Sequence, residues 1–298
     1  MIALAIAAAA AVAVPNIVAT VPAEHRIVEG VASNGHAIWV SSVLDRQILE
    51  CSRACRTIAT LPLGLNPLGI AWDWSRDLLW VAADCPDLPG IAKCSRGALL
   101  AISPAGRIVW RLAPNAEFHP GDVSVSLRAV MVSDSRNGVV YAVLPRRAGL
   151  HPLNRPGAGK SAQGAAMAGD GAHVVVADYA RGIGRIDMRT GATTWLPRQD
   201  GRPLRGVDGL ARCGDRYFGI YNGTTPGRLF SIAVAGDAIV AREFATAPTL
   251  PDPTQIAFDG NRLLAIANAG WQDIAQSRAR RSGPTRILAI PLPQGCAS

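Results

Sequence analysis

The sequence has 298 residues, of which 49% are hydrophobic, and a formal net charge of +8 from 30 basic residues, only Lys93 and Lys160 being lysines. Because no linker-like stretch interrupts the apolar segments, we expect one large repeat-built domain rather than two domains. The arginines are spread along the whole chain and no aromatic residues interleave with a basic run. This pattern favours a solvated basic exterior over a nucleic-acid partner.

The chain begins with an apolar run of 14 residues, MIALAIAAAAAVAV, which is too short to span a bilayer. Small residues follow that suit cleavage after Ala13 or Ala23, so residues 1–23 are predicted to be a signal peptide or leader. Because the run contains no Lys or Arg, a buried first strand is the alternative. No later segment reaches transmembrane length. We expect a periplasmic or secreted protein with no membrane span, in which residues 24–298 form the domain.

Cysteine usage fits an exported protein, because disulfides persist in oxidising compartments. The spacing of the six cysteines predicts two local bridges and a weaker third pair: Cys51 with Cys55, Cys85 with Cys94, and Cys213 with Cys296. A zinc site is the competing interpretation. The sequence offers no C-x-x-C pair and no histidine at ligand spacing to support it.

One sequence pattern recurs six times along the chain. It consists of a two-residue step that opens a strand, followed by a turn and a second strand. The steps fall at Glu29-Gly30, Leu68-Gly69, Gly121-Asp122, Gln163-Gly164, Asp208-Gly209 and Thr254-Gln255, with spacings of 39, 53, 42, 45 and 46 residues. Units of this length with three or four short strands predict an all-β fold, a six-bladed β-propeller with four-stranded antiparallel blades. The long second interval contains the Pro- and Gly-rich insertion CPDLPGIAKCSRG.

The last repeat runs out of chain after its third strand, TRILAIPL. A propeller must close its ring to remove open strand edges. We therefore expect the N-terminal segment Ile17 to Val21 to form the outer strand of the last blade, beside Thr285 to Ile290.

The repeat also predicts where polar side chains gather. In a propeller the first strand of each blade begins, and the second strand ends, at the same mouth of the central channel. The strand starts supply Glu29, Asp122, Gln163 and Asp208; the strand ends supply Ser41, Asp84, Asp134, Asp178, Asn222 and Asn268. Crowded carboxylates repel one another, and a divalent cation with a preference for oxygen ligands relieves the repulsion. For the strand ends, capping of the following turns is an equally good explanation.

A series of short phrases resembles the senescence marker protein and gluconolactonase family of six-bladed propellers. They are VEGVA, PGDVSV with VSDSRNGVVYAV, AQGAAM with VADYARGIGRID, GVDGLA with IYNGTTPGR, and DPTQIAFDGNRLLAIANAGW. The resemblance covers roughly residues 27 to 292. It implies metal-dependent hydrolysis of lactones, with calcium the first choice of cation and zinc, magnesium or manganese as alternatives.

The same resemblance implies the site residues. The metal ligands fall on Glu29, Gln163 and Asp208, and Gln163 stands where the family has Asn. The Asn-Asp step of the third blade is Gly121-Asp122 here, so one family substrate contact is missing. We expect Asp122 or Asp134 to accept a proton from the attacking water, with Asp84, Asp178, Asn222 and Asn268 as substrate-binding residues.

Two classes of function remain open at this point. The first is a metal-dependent hydrolase of lactones or related esters, a monomer acting on a small molecule. The second is a non-catalytic propeller that binds a ligand or a protein, which the altered positions Gly121 and Gln163 favour. The fold alone does not decide between them, because propellers host both. A serine hydrolase is disfavoured, since the chain lacks a G-x-S-x-G motif.

Overall fold

The structure is a computed structural model that describes residues 15–52, 54–88, 91, 93–94, 96–245, 250–277 and 283–292. Within these residues, 24 strands form six four-stranded antiparallel sheets. The sheets follow one another along the chain, and the first strand of each sheet contacts the first strand of the next. This confirms the predicted six-bladed β-propeller.

The first three blades are formed by strands β2 to β13. Their bounds are β2 Val28–Ser33, β3 Ile38–Ser42, β4 Gln47–Cys51 and β5 Cys55–Thr60 in blade 1; β6 Asn66–Asp73, β7 Leu78–Asp84, β8 Ala98–Ile102 and β9 Ile108–Leu112 in blade 2; and β10 Pro120–Val125, β11 Val130–Asp134, β12 Val140–Val143 and β13 His151–Pro152 in blade 3.

The remaining blades contain the other strands and one short helix. They are β14 Ala162–Met167, β15 His173–Asp178, β16 Gly182–Asp187 and β17 Thr193–Trp195 in blade 4; β18 Val207–Cys213, β19 Arg216–Tyr221, β20 Arg228–Ala235 and β21 Ala238–Ala245 in blade 5; and β22 Ile256–Asp259, β23 Arg262–Ile266, β24 Thr285–Pro291 and β1 Asn16–Val21 in blade 6. Helix α1, Trp271–Ala275, lies between β23 and β24. The sequence pattern did not predict this helix.

The hydrophobic core lies between neighbouring blades rather than at the centre of the ring. Between blades 1 and 2, for example, Ile48 and Leu79 are buried, and the rings of Trp39 and Trp72 stack with centroids 4.6 Å apart. The inner strands, such as β8 and β11, are buried along their whole length because each blade is covered by a neighbour on both sides, whereas outer strands such as β9 and β17 are largely exposed or half-buried. Burial at this scale, about 25 cal/mol per Å² of apolar surface, stabilises the ring as a whole.

The ring closes as the sequence predicted. Strand β1 pairs antiparallel with β24, with Val21 opposite Thr285 and Ile17 opposite Leu288. Val21 is fully buried, in a cluster that also contains Leu264 and Ile287. Blade 6 therefore joins the two ends of the described chain.

Two of the predicted disulfides are confirmed. Cys51 is bonded to Cys55, with Cα atoms 4.1 Å apart, and Cys85 to Cys94, with Cα atoms 5.9 Å apart. The third predicted pair involves Cys296, which lies outside the described residues, as do residues 1–14 of the predicted leader. No helix among the described residues is long and apolar enough to cross a membrane.

Candidate functional site

One mouth of the channel contains a cavity of about 290 Å³ that gathers polar residues from all six blades. The first strands supply Glu29, Asp122, Gln163 and Asp208, each at or next to the position where its strand begins. Other polar or aromatic residues on its wall are Asp84, Asp87, Ser135, Arg136, Gln255 and Trp271. The structure thus brings together the three predicted metal ligands, the predicted base Asp122 and the predicted substrate contact Asp84. The roles of these residues stay predictions.

Three carboxyl groups in this cavity are held in an unfavourable environment for their charge. Burial first, and then the charge of Asp208, raise the pKa of Asp122 to about 8 against the opposing effect of hydrogen bonds from Val123 and Gln255. Burial also raises the pKa of Asp208, partly offset by Asn222. The pKa of Glu29 is raised well above its usual range by burial first and then by Asp208. Buried like charges of this kind are stabilised by a cation.

The carboxylates of Glu29 and Asp208 are each fixed by a neighbour. The indole Nε1–H of Trp271, at the start of α1, donates to Glu29 Oε2. Asn222 Nδ2 donates to Asp208 Oδ2 at 2.7 Å, while Asn222 Oδ1 is buried and has no hydrogen-bond partner among the described residues. The predicted substrate residue Asn222 is therefore an immediate neighbour of Asp208.

Gln163 lines the cavity, and the nitrogen of its amide is fixed by a neighbour. Its Nε2 donates to Ser161 Oγ at 3.1 Å, and its Oε1 lies 3.4 Å from the position that a Cβ on Gly121 would occupy. Two carboxylates and one amide oxygen, from blades 1, 5 and 4, form a donor set that suits a hard divalent cation such as Ca²⁺. The donor set therefore fits the implied metal.

A thiolate metal site does not compete with this one. Among the described residues, one group of three His, Cys, Asp or Glu ligand atoms lies within 4.8 Å of one another, formed by Asp84, Cys85 and Cys94. The disulfide between the two cysteines removes both thiolates as ligands. The oxygens of Glu29, Asp122 and Asp208 are more widely spread than this, which leaves space between them.

A cross-channel hydrogen bond forms the floor of the cavity. Gln255 Nε2 donates to Asp122 Oδ1, and Gln255 Oε1 accepts the backbone N–H groups of Val31 at 2.8 Å and Ile70 at 3.3 Å. Blades 6, 1, 2 and 3 are thereby joined at the channel axis. A Cβ at Gly69 would lie 2.3 Å from Asp122 Oδ1, so only glycine fits beside this bond.

Asp84 is paired with a histidine that the sequence analysis did not select. Both oxygens of Asp84 lie 3.1 Å from Nδ1 of His119, and Nε2 of His119 lies 3.0 Å from Glu117 Oε1. His119 is almost completely buried behind the cavity wall. Its imidazole therefore orients Asp84 rather than facing the cavity itself.

The other predicted strand-end residues are occupied by local structure. Asp134 accepts the backbone N–H groups of His119, Arg136 and Asn137. Asp178 accepts those of Lys160, Ser161, Ala180 and Arg181. Asn268 donates to Pro284 O and accepts from Arg286 N. None of the three borders the cavity. The contacts of Asp134 and Asp178 match the turn-capping explanation, whereas those of Asn268 join it to the segment at the start of β24. Their predicted catalytic and substrate-binding roles have no support from these positions.

Gln255 and Trp271 are the site residues that sequence reasoning missed. A usable signal existed for Gln255: it stands at the second position of the opening step, where four other blades have Gly30, Gly69, Gly164 and Gly209. Asp122 is the one other exception, and the two exceptions contact each other. Trp271 carried no such signal, because it lies in the insertion between β23 and β24.

No family model matches this sequence, and no curated protein matches it. Solved structures do match by fold. A PQQ-bound aldose sugar dehydrogenase from Streptomyces coelicolor has a TM-score of 0.63 and 15% identity, covering 93% of this chain and 98% of that one. A gluconolactonase from Xanthomonas campestris has a TM-score of 0.61 and 15% identity, covering 91% and 89%. The WD40 propeller domain of Doa1 has a TM-score of 0.59 and 9% identity, covering 92% and 96%. At such identities the likeness concerns the fold.

Proposed function

We propose that this protein is a metal-dependent hydrolase of lactones or related esters, with a divalent cation held by Glu29, Gln163 and Asp208. The observation that carries the proposal is the convergence of these side chains from blades 1, 4 and 5 in one enclosed cavity. Glu29 and Gln163 are more than a hundred residues apart in the sequence. The packing between blades does not require these polar side chains. The gluconolactonase of similar fold adds support to this choice of reaction.

The chain's own residues have distinct roles in this proposal. The cation, when bound, supplies a Lewis acid for the ester carbonyl. Asp122 has Oδ1 occupied by Val123 N–H and Gln255 Nε2, so Oδ2 of the ionised carboxylate is the oxygen that takes a proton from the attacking water. Without a cation this ionised form is reached only at a pH of about 8. Trp271 and Asn222 hold the carboxylates of Glu29 and Asp208 in place. Arg136, on the cavity wall, stabilises negative charge on the substrate.

A cavity of about 290 Å³ limits the substrate to a small molecule. Its walls are mostly polar, with Asp84, Asp87, Ser135 and Arg136 opposite the proposed cation ligands. Hydroxyl groups are the substrate groups that such a wall hydrogen-bonds best. A polyhydroxylated lactone therefore suits the site better than an apolar ester.

The test combines metal analysis with a lactone screen on purified protein. We expect one tightly held divalent cation per chain and hydrolysis of simple sugar lactones. Asp208→Ala should abolish both, whereas the matched surface variant Asp200→Ala should change neither, because Asp200 lies in an exposed turn. Gln163→Asn should preserve or improve both, since a shorter amide restores the family's ligand. Full metal content in Asp208→Ala would place the cation elsewhere.

A binding propeller without catalysis is the second candidate. It is favoured by Gly121, which offers no side chain where the resembling family has a substrate contact, and by the structural hydrogen bonds of Asp178 and Asn268 away from the cavity. Wild-type protein that binds a divalent cation but opens no lactone or ester would support this candidate instead.

A further inference from the structure

A second and larger cavity, of about 590 Å³, lies at the opposite end of the channel. Asp122 and Gln255 border both cavities, so their hydrogen bond separates the second cavity from the site described above. The wall is formed by the far ends of the first strands and the turns that follow them. Its large apolar members are Trp72, Trp74, Leu127, Met167 and Phe258.

The rim of this second cavity is unusually apolar for a surface in contact with water. Trp74 is 70% exposed and Leu127 is 99% exposed, and both border the opening. Trp74 packs edge-on against Trp72, which in turn stacks on Trp39. An aromatic wall behind two exposed apolar side chains is typical of a cavity that receives an apolar ligand.

Two arginines border the same cavity from opposite sides of one turn. Arg128, after β10, lies over Gly171, and Arg212, in β18, lies over Gly169. A Cβ on either glycine would come within 2.9 Å of the guanidinium group that lies over it. The turn between β14 and β15 therefore has space for both arginines only because these two positions are glycine. Two positive charges thus flank the same turn at the rim.

Neither arginine is neutralised by a salt bridge within the described part of the chain. The one other carboxylate on the wall besides Asp122 is Asp73, and Arg76 already pairs with it at 2.7 Å. Asp215, which is exposed, also approaches Gly169 but forms no salt bridge with Arg212. Asp170, between the two glycines, pairs with His173. The cavity therefore presents two guanidinium groups that form no salt bridge among the described residues.

Two buried donors at this cavity also lack acceptors. Among the described residues, the Nε of Arg212 and the Nε1 of Trp72 are shielded from solvent and have no hydrogen-bond partner, and Trp72 is only 7% exposed. A buried donor without an acceptor costs roughly 1–3 kcal/mol, so native proteins rarely leave one. The described residues thus supply no acceptor to the Nε of Arg212, a residue that lines the cavity.

We propose that the second cavity binds an amphiphilic organic anion. Its aromatic or acyl body packs against Trp72, Trp74 and Leu127, and its carboxylate, sulfonate or phosphate group accepts hydrogen bonds from Arg128 and Arg212. Guanidinium groups suit such anions because they offer several donors in a planar fork. The inference is independent of the metal site, since the Asp122–Gln255 bond lies between the two cavities.

The probe for the test is 1-anilinonaphthalene-8-sulfonate, titrated into the full chain in the presence of EDTA. We expect saturable binding of one molecule per chain, followed by its fluorescence. Arg212→Gln should weaken binding about tenfold or more, as expected for loss of a charge-assisted hydrogen bond. Arg107→Gln, the same charge change at an exposed turn, should leave binding unchanged. N-phenyl-1-naphthylamine, which lacks the sulfonate, should bind more weakly and be insensitive to Arg212→Gln.

Several outcomes would overturn the proposal. They are equal affinity of wild type and Arg212→Gln for the sulfonate, equal affinity of wild type for the two probes, or binding of several probe molecules per chain. Binding to anionic phosphatidylglycerol vesicles without saturable binding of the free sulfonate would indicate a membrane-facing surface instead. If circular dichroism finds Arg212→Gln unfolded, Arg128→Gln and Trp74→Ser provide the same comparison at exposed positions.

Discussion

Asp122 makes the stability of the metal-free protein depend on pH. An ordinary aspartate ionises near pH 3.8, whereas burial keeps the proton on folded Asp122 up to a pH of about 8. Between these values the folded state binds more protons than the unfolded state. The stability that protonation of Asp122 contributes is therefore fully present below pH 3.8 and is lost as the pH rises through about 8. In EDTA we expect the free energy of unfolding to fall by about 1–3 kcal/mol between pH 5 and pH 9.

Urea unfolding at several pH values measures this effect. Asp122→Asn should reduce the dependence, because an amide does not ionise, and the raised pKa values of Glu29 and Asp208 should keep the remainder. Asp200→Asn should leave the whole dependence in place. Added Ca²⁺ should also flatten it by compensating the buried charges. A stability that rises between pH 5 and pH 9 in EDTA would contradict the assignment of a buried, protonated Asp122.

Gln255 contributes to stability at the channel axis. Its replacement by Ala leaves the backbone N–H groups of Val31 and Ile70 without this acceptor and removes one of the two donors to Asp122 Oδ1, the other being Val123 N–H. We expect a loss of roughly 3 kcal/mol, since each buried unsatisfied group costs about 1–3 kcal/mol. The urea midpoint measures this loss, and Gln199→Ala in an exposed loop is the control. An unchanged midpoint would mean that water replaces the lost contacts.

At the scale of the single element, the turn after β11 gives Asp134 a structural role, in contrast to the aspartates that border the cavity. Asp134 Oδ1 and Oδ2 accept four hydrogen bonds around this turn, three of them from backbone N–H groups. Asp134→Ala should therefore lower the free energy of unfolding by about 2–4 kcal/mol. Its folded fraction should retain wild-type metal affinity, which isothermal titration calorimetry measures. Loss of metal affinity in a fully folded Asp134→Ala variant would instead show that Asp134 contributes to metal binding.

The pairing of strand β1 predicts at which of the two candidate sites the leader can be cleaved without loss of stability. A cut after Ala13 keeps β1 in blade 6, whereas a cut after Ala23 removes it and exposes the edge of β24. We expect exported protein to retain Asn16, as N-terminal sequencing will determine. A version that begins at Glu24 should unfold at lower urea concentration than one that begins at Pro15. Equal stability of the two versions would contradict a structural role for β1.

At the scale of the whole molecule, repetition made the fold predictable and irregularity hid parts of the site. The six opening steps and the missing fourth strand of blade 6 were sufficient to predict the ring and its closure. Glu29, Gln163 and Asp208 share a position in the repeat, and the family resemblance singled them out as the metal ligands. Helix α1 was not predictable, because it occurs once and its five residues lie in an insertion outside the repeat.

The strand-end aspartates illustrate the limit of a repeat pattern. Asp84 and Asp134 occupy equivalent positions in blades 2 and 3, yet only Asp84 borders the cavity. The difference comes from the segments that follow: a disulfide-bonded insertion after Asp84 and a tight turn after Asp134 that uses its carboxylate. Sequence alone gives both residues the same role, since local turn chemistry decides which carboxylate stays available.

Because β1 pairs with β24 within one blade, the ring does not depend on which blade the chain begins in. Asn16 and Leu292 border the same small depression beside blade 6, so a short peptide could join them. A circular permutant that joins these ends and opens between Asp200 and Gly201, in the exposed connection from blade 4 to blade 5, should fold into the same ring. Its lactone hydrolysis and its urea midpoint should stay close to those of the parent. An unfolded permutant would indicate that the ring needs its seam within a blade, where strands from both ends interlock.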